Sequence, residues 1–99
     1  MQDLAPIAFV ADDGDIRINF GMFAGREATP AEIDELARTL LQEVQDVTIV
    51  AEQRFVVDRE MEASVHQIRV EPGDQDPRPL LALCADWAET RIAERHAEL

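Results

Sequence analysis

Ninety-nine residues suffice for one hydrophobic core without disulfide or metal staples and are too few for two, so residues 1–99 are expected to form a single domain. Apolar residues at 46% and charged residues at 30% make a globular mixture, which excludes a disordered or low-complexity chain. Twenty-one acidic residues against nine basic ones, all arginine, leave a net charge of −12, the wrong sign for tracking phosphates or anionic lipid, so neither nucleic acid nor a membrane is expected as a partner.

Residues 4–10 and 16–23 flank Asp12, Asp13, Gly14 and Asp15, a turn-rich tetrad that reads as a hairpin connection. Within the second run Ile16, Ile18, Phe20 and Met22 alternate with Arg17, Asn19 and Gly21, the period of a half-buried strand. Thr29, Pro30 and Glu32 then spell a capping box with proline at the first helical position. The helix that follows carries Ile33, Leu36, Ala37, Leu40, Leu41 and Val44 on one face.

A second strand pair is expected over 47–57 and 63–71, joined by a charged loop of about five residues. Asp76 and Pro77 repeat the cap-and-proline start. Leu80, Leu83, Cys84, Trp87, Ala88 and Ile92 carry a second helix towards His96. The expected fold is α+β, a two-layer sandwich in ββαββα order, with a four-stranded antiparallel sheet and two helices on one face.

The lone cysteine, Cys84, sits in an apolar helical pattern and reads as a small buried hydrophobe. The N-terminus lacks a basic region followed by a long apolar run, and no stretch approaches the ~20 apolar residues of a membrane span, so the expected location is cytoplasmic.

Candidate chemistry is sparse. If the second hairpin is centred on Glu60, Arg54 falls opposite His66 and Glu52 opposite Ile68, which gathers Glu52, Arg54 and His66 on one face as a ligand cluster or a solvated ladder. Arg91 lies within the apolar stripe of the last helix, where its stem either covers the core with the guanidinium in solvent or pairs with a carboxylate such as Glu52 or Glu71. Neither face of that hairpin is cleanly apolar. Val50, Val56, Ile68 and Val70 are therefore expected on an open face that a second copy of the chain would cover, with a bulge as the alternative.

The aspartates around Gly14 depart from the ligand spacing of a calcium loop, and no metal or other cofactor is expected. Gly21, Gly25 and Arg26 precede a helix N-terminus, but Glu27 and Glu32 oppose an anion there. With two histidines, no tyrosine and no orienting constellation, the chain reads more as a non-enzyme than as an enzyme. The expectation is a small acidic protein-interaction module, an adaptor, inhibitor or immunity-like protein that also self-associates. Two alternatives are a small-molecule-binding or minimally catalytic domain using Glu52, Arg54, His66 and Arg91, and an acidic mimic of nucleic acid.

Overall fold

The computed structural model describes the backbone of residues 6–60 and 62–97, and the side chains of these other than 56, 63, 65 and 95–97. Its elements are β1 (Ala8–Val10), β2 (Ile16–Ile18), α1 (Phe20–Ala24), α2 (Pro30–Leu40), β3 (Thr48–Val57), β4 (Glu62–Glu71) and α3 (Pro77–Ala97). The fold is mixed α+β, built on a four-stranded antiparallel sheet of order β1-β2-β4-β3.

The first turn forms where expected. Gly14 adopts a φ of 90°, a left-handed conformation that costs glycine little. Asp13 accepts a hydrogen bond from the Asp15 amide at 2.9 Å. That bond, followed by the Arg17 guanidinium, holds the Asp13 carboxyl below its ordinary pKa.

The expected second strand, 16–23, stops at Ile18. Asn19 leaves the ladder because its buried amide is used on both sides: Nδ2 donates to Pro6 O at 2.7 Å, and Oδ1 accepts from Gln67 Nε2 at 2.8 Å. The chain then makes the short helix α1, which turns Phe20 and Ala24 inward and leaves Met22 52% exposed. Strand alternation would have sent Phe20 and Met22 to the same side. Phe20 instead stacks on Trp87 at a centroid separation of 5.3 Å, and the Arg26 guanidinium lies over the Phe20 ring, 5.4 Å from its centroid. Gly21 is required here by space rather than by φ, for a Cβ on it would stand 2.6 Å from the His66 carbonyl oxygen.

The capping box of α2 is complete. Thr29 Oγ1 accepts from the Glu32 amide at 3.2 Å, and Glu32 Oε1 accepts from the Thr29 amide at 2.9 Å. The helix ends at Leu40, so Leu41 falls in the following turn, half exposed, while Val44 still packs against the core. Asp76 Oδ1 accepts from the Arg78 amide at 3.0 Å at the start of α3, and Leu80, Cys84, Trp87, Ala88 and Ile92 are buried as the helical spacing predicts.

These residues join Leu36, Leu40, Phe20 and Ala24 in one cluster with Ile16, Ile18, Ile68 and Val70. The four strand residues share a face of the sheet, here the core face, because Ile16 pairs with Val70 and Ile18 with Ile68. Ile68 and Val70 are thus 3% and 0% exposed, and not on an open face as expected. Among the described residues no helix is long and apolar enough to cross a membrane.

Candidate functional site

The hairpin of β3 and β4 pairs one-to-one from Thr48↔Glu71 to Val57↔Glu62, with no bulge. Gln53 therefore lies opposite His66, Arg54 opposite Val65 and Glu52 opposite Gln67. This differs by one residue from a hairpin centred on Glu60. Such a slip sends alternate side chains to opposite faces, so Glu52 and Arg54 share the polar face while His66 shares the core face with Ile68. The structure does not bring the three together.

Sequence alternation builds the polar face. With Ile16 and Ile18 turned into the core, Arg17 must point the other way, and its register partner Arg69 does the same from β4. Arg17 is the hub: Nη1 donates to Glu52 Oε1 at 2.7 Å and Nη2 to Asp13 Oδ2 at 3.1 Å, with its side chain only 14% exposed. Arg69 Nη2 lies 3.1 Å from Glu71 Oε2. Arg54 Nη1 donates to Gln67 Oε1 at 3.2 Å, which extends the Gln67–Asn19 chain to the sheet edge. Arg17 and Arg69 were not singled out from the sequence, although the Ile-Arg-Ile alternation of β2 was the signal that finds the first.

Val50 is half-buried on this polar face, opposite Arg69. The side chain of Val56 lies outside the described residues. Among the described residues the most exposed large apolar groups are elsewhere: Phe55 and Val57 are each 64% exposed on the outer part of β3. That part extends beyond the reach of β1 and β2, since β2 pairs with β4 only from Ile68 to Val70.

His66 Nδ1 stands 3.7 Å from Glu27 Oε2, and the two line a cavity of about 180 Å³ with Phe20, Ala28 and Gln53. Arg91 joins α3 to α2, with Nη1 at 3.2 Å from Glu35 and Nη2 at 3.1 Å from Glu94, instead of pairing with Glu52 or Glu71. Its guanidinium borders a second cavity of about 280 Å³ beside Trp87. Both volumes fall below the roughly 300–1,000 Å³ of small-molecule sites; of the four residues expected to form a ligand cluster, Glu52 and His66 line the first cavity and Arg91 the second, while Arg54 lines neither.

Arg26 grips Glu32 with two hydrogen bonds, 2.7 and 2.9 Å, so a carboxylate of the chain itself occupies the guanidinium near the α2 N-terminus. These bonds hold Glu32 at a pKa of about 2. Burial pushes the Cys84 thiol up to about 12, the opposite of an activated nucleophile. Among the described residues, no group of three or more His, Cys, Asp and Glu is placed to hold a metal ion.

No protein-family model matches the chain, and no curated protein or solved structure matches it significantly.

Proposed function

We propose that this chain is a small acidic protein-interaction module that self-associates. One observation carries the reading: the outer part of the β3–β4 hairpin stands beyond the four-stranded region with Phe55 and Val57 both 64% exposed. Large apolar side chains placed together on a projecting strand are costly in water and are characteristic of association surfaces. On this reading α2 and α3 both cover the core face, the Arg17 network forms the opposite face of the sheet, and the net charge of −12 steers basic proteins toward the assembled particle. A cytoplasmic location is part of the same proposal, resting on the single buried thiol of Cys84.

Sedimentation velocity from micromolar to millimolar concentration tests it. The expected result is a mass that rises with concentration from 11.1 kDa to twice that value, and a shift of the midpoint to higher concentration for the double variant Phe55→Ser, Val57→Ser. A wild-type protein that stays at 11.1 kDa throughout overturns the proposal.

A further inference from the structure

The two edges of the sheet are built differently. β1 is three residues long and is preceded by Pro6, two ordinary devices for preventing strands from adding to an edge. β3 has ten residues, no proline and no bulge, and it pairs with β4 alone. Ala51, Gln53, Phe55 and Val57 along it are all exposed. Such an edge is a template for another strand, and its charges decide which strand.

A second copy adding antiparallel to this edge through a twofold axis must place some residue opposite itself. Two centres keep nearly all of β3 paired. Centring on Glu52 sets two carboxylates against each other at the axis. Centring on Gln53 sets Glu52 opposite Arg54 of the second copy and, by symmetry, Arg54 opposite Glu52, while Ala51 meets Phe55 in a small-to-large pair. Directly opposite residues on one face have their Cβ atoms about 4.5–5.5 Å apart, within reach of an ion pair.

The atoms needed are available. Glu52 uses Oε1 for Arg17 and makes no hydrogen bond through Oε2 among the described residues. Arg54 uses Nη1 for Gln67, and no carboxylate of the described residues pairs with it. From these observations we infer that the occupant of the β3 edge is a second copy of this chain, paired antiparallel with Gln53 on the twofold axis and locked by two reciprocal Glu52–Arg54 pairs. The two sheets then run on as one of eight strands, with both core faces on the same side. The Arg17–Glu52 pair of each copy continues into Arg54 of the other.

This inference rests on the self-association proposed above and specifies its geometry. The test is sedimentation at about 0.15 M salt, where a Debye length of about 8 Å screens the overall repulsion between acidic copies but not contact pairs. Arg54→Glu faces Glu52 with a like charge at two places and is expected to raise the dimer dissociation constant about tenfold or more. Because Arg54 is exposed, its own thermal unfolding should change little. Gln53→Cys is expected to give a disulfide-linked dimer under mild oxidation, while Thr48→Cys, five residues off the axis, gives none. The only native cysteine is buried and does not compete. A wild-type protein monomeric at every concentration overturns both this inference and the self-association. A dimer whose mass is unchanged by Arg54→Glu and whose Gln53→Cys variant does not cross-link overturns the register alone.

Discussion

Gly21→Ala should destabilise this protein although it replaces glycine by the best helix former inside a helix. The added Cβ would lie 2.6 Å from the His66 carbonyl oxygen and 2.8 Å from the His66 nitrogen and Cβ. Normal carbon contacts begin near 3.5 Å, so α1 must lift from β4 by several tenths of an ångström or more. That movement drags Phe20 and Ala24, both buried, away from their places beside Trp87 and the sheet. Overpacking of this kind costs about 1–3 kcal/mol, and the gain in helix propensity returns at most about 1 kcal/mol. The expected net loss is about 1–2 kcal/mol, or roughly 5–15 °C in Tm for a domain of this size. Urea unfolding followed by the fluorescence of the single tryptophan, Trp87, measures it directly, because that ring stacks on Phe20 of the displaced helix. Met22→Ala, in the same helix but half exposed, should stay within about 0.5 kcal/mol of wild type. A Gly21→Ala variant as stable as the parent, with unchanged m-value, would refute the close approach of α1 to β4.

Thr29→Ala removes one half of the capping box and should cost about 1 kcal/mol in the same assay; no loss would mean the cap contributes nothing. Glu32 has a folded pKa of about 2, set chiefly by its hydrogen bonds from Arg26, against 4.5 for the free side chain. Its folded pKa lies below the unfolded one, so its contribution is complete above about pH 5 and fades as pH falls through 4.5 towards 2. Glu32→Gln should flatten the stability profile in that window, and an unaltered acid limb would argue against the Arg26 clamp. Cys84, buried and with its thiol pushed up to about 12, should react with a thiol reagent near pH 8 only through opening of the protein. Labelling of the native state at the rate of an unfolded peptide would contradict the packing of α3.

What could be read from the residues was whatever local rules decide. Thr29, Pro30 and Glu32 fix the start of α2, Asp76 and Pro77 that of α3, and the spacing from Leu80 to Ile92 finds the buried side of the last helix. The alternation of Ile16, Ile18, Phe20 and Met22 is equally compatible with a strand and with a strand that breaks at Asn19. The break is decided by Gln67 and Pro6, which lie far along the chain or outside the pattern. The register of β3 on β4 depends on a single residue of loop length. Apolar residues occur at both parities of β3, with Ile49, Phe55 and Val57 on one and Val50 and Val56 on the other, so the hydrophobic pattern could not correct it. The expected grouping of Glu52, Arg54 and His66 fails for that one reason. Arg91 is unusual within its apolar stripe, but its partner Glu35 comes from a different helix, and no spacing rule connects them.

The unequal strand lengths also divide the molecule kinetically. Between Ile68 and Val70, β4 is paired on both sides, by β2 and by β3, whereas from His66 outward β3 is its only strand partner among the described residues. Amide protons of the doubly flanked segment should exchange only when the whole protein unfolds. Those of the outer hairpin should exchange through a smaller opening that leaves Trp87 and its neighbours in place. The turn at Asp58, Arg59 and Glu60 is therefore a place where the chain can separate, lengthen by insertion or be nicked without dismantling the core.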